Sequence, residues 1–137
     1  RVGGYSSSVG LPFSIGKLPP RKQLLLEFGL EAHFKTMDLM RGGKPAADVV
    51  REYEEFVTQR GFKKYMLYGP CHGIGMMEVE QPWMESVSTY DLQPNMTFQV
   101  DTFFYDKDFG LRWENGVRVT PTGVEKLSKK FMKLVVV

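Results

Sequence analysis

The chain has 137 residues, 42% of them hydrophobic and 25% charged, the balance of one globular domain able to bury a core. Its 18 Lys and Arg against 16 Asp and Glu leave a formal charge of +2, too little to argue for a nucleic-acid partner. A single cysteine, Cys71, excludes an internal disulfide and fits a reducing compartment. No apolar run approaches the roughly 20 residues that span a bilayer, and Arg1-Val2-Gly3-Gly4 has no apolar signal-peptide core, so the expected location is cytoplasmic, without a membrane partner.

Residues 1–16 are small and polar, with Tyr5, Phe13 and Ile15 as the expected anchors among Gly3, Gly4, Ser6, Ser7, Ser8 and Gly10. The pattern predicts one or two short strands with turns. No acidic residue precedes Glu27. Pro19-Pro20 then opens a helical pattern, because a proline's missing donor would be unpaired in a first turn anyway. Leu24, Phe28 and Ala32 recur at i, i+4 and i+8 beside Leu26, Leu30, Phe34 and Met37, giving a broad apolar face to about Met40. Gly42-Gly43 stops it. A second helix from near Pro45 to about Arg60 presents Val49, Val50, Tyr53, Phe56 and Val57, with Gly61 as its C-cap. His33, beside Glu31, Lys35 and Thr36, reads as an ordinary surface or boundary histidine.

After Phe62 the pattern changes to short strands and turns: Met66-Leu67-Tyr68, then Gly75 to Pro82, then a polar connection from Glu85 to Pro94. Two strand-like runs follow, Met96 to Tyr105 and Gly110 to Thr120. Thr120-Pro121-Thr122-Gly123 is a turn by composition, Val124 to Lys130 is short and mixed, and Leu134 to Val137 is a final strand. Lys126, Lys129, Lys130 and Lys133, interleaved with Leu127, Phe131 and Leu134, read as the wet side of an amphipathic segment. Two helices followed by several strands around one core predict an α+β fold.

The chemistry concentrates at Gly69-Pro70-Cys71-His72-Gly73-Ile74-Gly75, where flanking glycines let backbone pass close to a neighbour and present the imidazole on a tight segment. A surface turn carrying a histidine is the competing reading. Downstream, Asp101 and Glu114 each sit inside an apolar run, and a buried carboxylate is expensive unless paired or metal-bound. If the two strands turn at Asp106-Lys107-Asp108-Phe109 with Tyr105 opposite Gly110, Asp101 falls directly opposite Glu114, with β-carbons about 5 Å apart. Two carboxylates share such a space only with a cation or a proton between them, and with His72 the set suits a divalent transition metal. Asn115-Gly116 is also a strong type I′ hairpin signal, and in that register Glu114 becomes a turn-flanking surface residue. Spacing alone leaves both registers open.

The ordered set CHGIG, NMTFQVDTFFY and GLRWENGVRVTPTGVEKLS resembles the C-terminal part of the pita-bread superfamily of methionine aminopeptidase, aminopeptidase P, prolidase and creatinase. In that family a histidine of an HGIG-type segment, a glutamate of a GMxFTxEP-type strand and a glutamate of the next strand, before a V-x-V-T-x-x-G-x-E-x-L tail, are metal ligands. Those positions fall on His72, Asp101 and Glu114. The resemblance extends through both helices to Gly4-Tyr5, and it favours a continuous strand through Asn115-Gly116. It implies a pita-bread-like half-fold, two helices packed on a curved antiparallel sheet, with residues 1–137 forming a single domain that is the C-terminal portion of a larger catalytic domain.

The departures matter as much. Of the family's two aspartate ligands, the second corresponds to Ser8 and the first would precede Arg1; a hydroxyl is a poor substitute for a carboxylate. Asp101 is one methylene shorter than the usual glutamate and lacks the following proline. The family's second histidine would fall near Val79, and Glu78 and Glu80, as anions, cannot stabilise an oxyanion in its place. The resemblance therefore implies an Xaa-Pro dipeptidase- or aminopeptidase-like metallopeptidase domain with an incomplete site for Mn, Co, Fe or Zn, weak or inactive as this chain, acting on a peptide or small amide. Alternatives are a non-catalytic peptide- or protein-binding module with Trp83 and Met84 on its rim, and a metal-free creatinase-like hydrolase using His72 as general acid and base. A half-fold would leave sheet edge and apolar surface that invite a homodimer.

Overall fold

The computed structural model describes residues 2–130 and 132–137; Arg1 and Phe131, both named above, lie outside the described residues. The chain runs β1 (Val9–Gly10), β2 (Phe13–Ser14), α1 (Pro20–Leu39), α2 (Ala46–Gln59), a 3-10 turn (Lys63–Tyr65), β3 (Cys71–Gly73), β4 (Glu80–Trp83), β5 (Thr97–Asp106), β6 (Phe109–Val119), β7 (Val124–Lys126) and β8 (Val135–Val136). Six strands form one antiparallel sheet in the order β1-β6-β5-β3-β4, with β7 also on β6. A separate parallel ribbon joins β2 to β8, extended by Gly16 N–H to Val137 O at 2.7 Å and Val137 N–H to Ser14 O at 2.9 Å.

Both helices begin beside a proline and end within a residue or so of the expected positions, and Gly61 N–H closes the second on Thr58 O at 2.9 Å. The long β5–β6 hairpin turns at Lys107-Asp108, and its register sets Tyr105 opposite Gly110 and Asp101 opposite Glu114. Asn115-Gly116 is not a turn: both residues lie inside β6, paired with Val100 and Gln99. The Asn115 side chain has a buried place of its own, which a solvent-facing turn would forfeit.

Because alternate residues of a strand point to opposite faces, the hairpin sorts cleanly. Phe98, Val100, Thr102 and Phe104 of β5, with Leu111, Trp113 and Val117 of β6, are buried on the side where α1 packs. Burial of these large side chains, at roughly 1.5–3 kcal/mol each, is the main favourable term holding the helices on the sheet. Gly29 brings α1 close: a Cβ there would lie 2.7 Å from Leu111 Cδ1 and 3.3 Å from Trp113 Cδ1. Trp113 Nε1–H reaches the Leu26 carbonyl at 3.3 Å.

Three expectations are corrected. His33 is wholly buried, not a surface histidine: Nε2 bonds Asn115 Oδ1 at 2.8 Å and Nδ1 meets Thr102 Oγ1 at 3.1 Å. The Asn115 oxygen can only accept, so Nε2 carries the proton, and the Asn115 amide donates on to Ser128 Oγ at 2.7 Å. The buried stripe of α1 runs Leu25, Phe28, Gly29, Ala32, His33, Thr36, and Leu24, expected on it, points outward. The supposed anchors Tyr5, Phe13 and Ile15 are all exposed; Leu11 and Leu18 pack against the core from this segment instead.

Candidate metal centre

The face of the hairpin turned away from α1 carries the chemistry. Asp101 and Glu114 are 2% and 4% exposed, and β3 brings in His72, whose backbone is paired with Gln99. The β3–β4 register slips between His72 and Gly73, and only glycine fits there, since a Cβ at position 73 would lie 2.7 Å from Glu80 O and 2.8 Å from Gln81 O. The bulge holds the imidazole inward, with His72 7% exposed. His72, Asp101 and Glu114 can each offer one ligand atom, and these atoms lie within 4.8 Å of one another.

His72 Nδ1 lies 2.9 Å from the Gly73 carbonyl. A carbonyl only accepts, so the proton sits on Nδ1 and the Nε2 lone pair is available, the arrangement that orients a metal-binding imidazole. Nε2 has no hydrogen-bond partner among the described residues, and neither has Glu114 Oε1. Two buried acceptors left unpaired are costly, and an electron-pair acceptor such as a divalent cation suits both. The donor set therefore fits a metal through His72 and Glu114.

Asp101 is differently placed. Arg112, two residues before Glu114 and on the same face of β6, donates Nε–H to Asp101 Oδ1 at 2.8 Å and Nη2–H to Oδ2 at 2.6 Å. The same Nη2 lies 3.4 Å from Glu114 Oε1, a charge contact outside hydrogen-bonding geometry. Tyr68 OH donates to Asp101 Oδ2 at 2.6 Å. Burial first, then the bond to Asp101, pushes the Tyr68 hydroxyl pKa upward, so it stays a donor. Burial also raises the Glu114 carboxyl; Arg112 opposes the shift, Asp101 adds to it and the Ser8 hydroxyl opposes it again. The cation between the opposed carboxylates is thus a guanidinium from the chain itself.

A cavity of about 510 Å³ opens beside this cluster, lined by His72, Asp101 and Arg112 and walled by Tyr68, Trp83 and Met84. The His72 and Trp83 rings meet edge-on at 6.4 Å between centroids. Val79, where the resemblance places a second histidine, also lines the cavity. Ser8 stands near Glu114, and Gly10 pairs with Glu114 across β1 and β6. Arg112 and Tyr68 were not anticipated from the sequence. Period-two counting from Glu114 would have placed Arg112 diagonally opposite Asp101, within reach of a long side chain.

Two helices on one face of an antiparallel sheet, with a buried His-Asp-Glu cluster on the other, define part of the pita-bread metallopeptidase fold. The chain superposes on an X-Pro aminopeptidase from Thermotoga maritima with a TM-score of 0.91 and 24% identity, covering 98% of this chain and 38% of that one. It superposes on dipeptidase PepE from Mycobacterium ulcerans with a TM-score of 0.85 and 26% identity, covering 91% and 34%. The model of metallopeptidase family M24 matches residues 1–121, and the chain belongs to that family. It is 23% identical over 126 residues to an Xaa-Pro dipeptidase of Pyrococcus furiosus, covering 91% of this chain and 36% of the relative. It is 30% identical over 138 residues to an uncharacterized hydrolase/peptidase of Sinorhizobium fredii, covering 98% and 34%. The chain spans roughly a third of the length of these curated relatives. No helix among the described residues is long and apolar enough to cross a membrane.

Proposed function

We propose that residues 1–137 are a single domain forming the C-terminal part of a larger Xaa-Pro dipeptidase- or aminopeptidase-like catalytic unit, with His72, Asp101 and Glu114 as ligands for Mn, Co, Fe or Zn. The observation that carries the reading is the convergence of these three buried side chains within 4.8 Å, with His72 Nε2 and Glu114 Oε1 uncommitted. His72, Asp101 and Glu114 would hold a divalent ion, which would supply Lewis-acid chemistry for amide hydrolysis. The chain's own residues do the rest of what this unit can do. Gly73 O fixes the His72 tautomer, Tyr68 holds Asp101 in place, and the cavity walled by Trp83 and Met84 receives a peptide or small amide. We place the protein in the cytoplasm, on the ground that its free cysteine, Cys71, is buried and suits a reducing compartment.

The ligand set of this chain is incomplete, because Ser8 offers a hydroxyl where the family has a carboxylate and Val79 stands at the second-histidine position. The chain by itself is expected to bind divalent metal weakly and not to turn over a proline-containing dipeptide. Inductively coupled plasma analysis and a dipeptide hydrolysis assay test this: near two equivalents of metal, or measurable turnover, would overturn it. A second reading, a peptide-binding module without catalysis, is favoured by Trp83, which is 47% exposed at the cavity mouth.

A further inference from the structure

We infer that Arg112 is the resident cation of this centre: its guanidinium holds Asp101, and a metal ion that takes Asp101 as its third ligand does so by displacing it. The inference rests on the metal-binding reading and adds to it a residue that sets the affinity. Asp101 and Glu114 are directly opposed and nearly inaccessible, so a metal-free site needs a proton or another cation between them. Arg112 provides it in the planar bidentate geometry that a guanidinium, and not an ammonium, can make.

The three prospective ligands are consequently not equivalent. Both Asp101 oxygens are taken, one of them twice, while His72 Nε2 and Glu114 Oε1 are uncommitted. An ion that recruits the third ligand is set against the Arg112 pair, because a guanidinium and a divalent cation repel each other and compete for one carboxylate. The exchange is sterically open. The Arg112 side chain is 42% exposed against 3% for Asp101, and it lines the cavity, so it has a solvated place to go.

Three forms of the intact protein test the exchange: the natural sequence, Arg112→Leu and Arg112→Lys. Each is titrated with Zn²⁺ by calorimetry and with Co²⁺ by visible absorption, and its thermal unfolding is followed with and without Zn²⁺. Arg112→Leu is expected to bind both ions at least tenfold more tightly, to melt lower than the natural protein without metal and to regain that loss with Zn²⁺. Arg112→Lys, which keeps charge but loses the fork, is expected to fall between. Should Arg112→Leu not fold, the natural protein still decides. The Arg112 Nε–H resonance, held by Asp101, is expected to shift or broaden in step with the His72 ring signals as Zn²⁺ is added.

Equal affinities in the natural protein and Arg112→Leu, or an Arg112 Nε–H signal that stays fixed while His72 reports binding, would overturn the exchange and leave the metal site standing. No uptake of either ion by any form would overturn the metal-binding reading and the exchange with it.

Discussion

Asp101 and Glu114 face each other across β5 and β6 as two buried carboxylates, and one guanidinium, that of Arg112, touches both. Neither acid could be interpreted alone. A strand carrying one buried carboxylate is destabilised, whereas a hairpin that opposes two and supplies a cation from the next same-face position is a built polar site.

Replacing His72 by Gln is expected to lower Zn²⁺ affinity by at least tenfold while leaving the fold intact. Its Nε2 makes no bond with the described residues, so the substitution breaks no hydrogen bond beyond the one from Nδ1 to Gly73 O, and gives up the edge contact with Trp83. Calorimetric titration beside far-UV circular dichroism checks both halves; an unchanged affinity would remove His72 from the ligand set.

Stability is expected to fall on acidification between pH 6.5 and about 4 through His33. Burial pushes its pKa from 6.5 down to about 4, with the Asn115 bond opposing. In that window the unfolded chain binds a proton that the folded protein does not, so stability increases with pH and its contribution is lost as pH falls through the folded value. At about 1.4 kcal/mol per pKa unit the whole effect is at most roughly 3.5 kcal/mol. Urea unfolding at several pH values should show this slope, and His33→Gln should flatten it.

Gly73→Ala is expected to destabilise the protein by roughly 2 kcal/mol or more, because the new methyl would meet the backbone of Glu80 and Gln81 at under 3 Å and a strand pair must move apart. Denaturant unfolding measures the loss. A variant as stable as the natural protein would show that the bulge beside His72 has slack.

Trp83→Ala is expected to weaken binding of a proline-containing peptide about tenfold, since the exposed ring forms a wall of the cavity and truncating an aromatic anchor commonly removes more than 1 kcal/mol. Fluorescence anisotropy with a labelled peptide reads the change. His72→Gln left at natural peptide affinity, with Trp83→Ala impaired, would favour the binding module over the peptidase.

The hairpin and both helices were legible because they rest on periodicity. Two-residue alternation, once anchored by Tyr105 opposite Gly110, fixes Asp101 against Glu114, and only the choice of turn was open. Asn115-Gly116 has the stronger turn composition, but Asn115 is held by His33 and Ser128 from distant parts of the chain, partners that local composition does not register. A helix face that starts at Leu24 leaves His33 off it; the face that starts at Leu25 puts His33 eight residues on, in the buried stripe. The N-terminal segment carries no period at all. Size alone points to Tyr5, Phe13 and Ile15 as anchors, whereas Leu11 and Leu18 provide the partly buried contacts. Ser8 and Val79 show the converse: their positions near the site follow from the resemblance, and their side chains do not supply the chemistry it carries.

The ribbon that zips Phe13–Ser14 to Val135–Val136 has a bearing on handling the protein. It acts as a clasp on the strip that passes over Glu114 through Gly10. Deleting Val135, Val136 and Val137 removes the partner strand of that ribbon and is expected to loosen the strip over the acidic cluster from more than a hundred residues away in sequence, so a metal titration done on such material would report the clasp as much as the site.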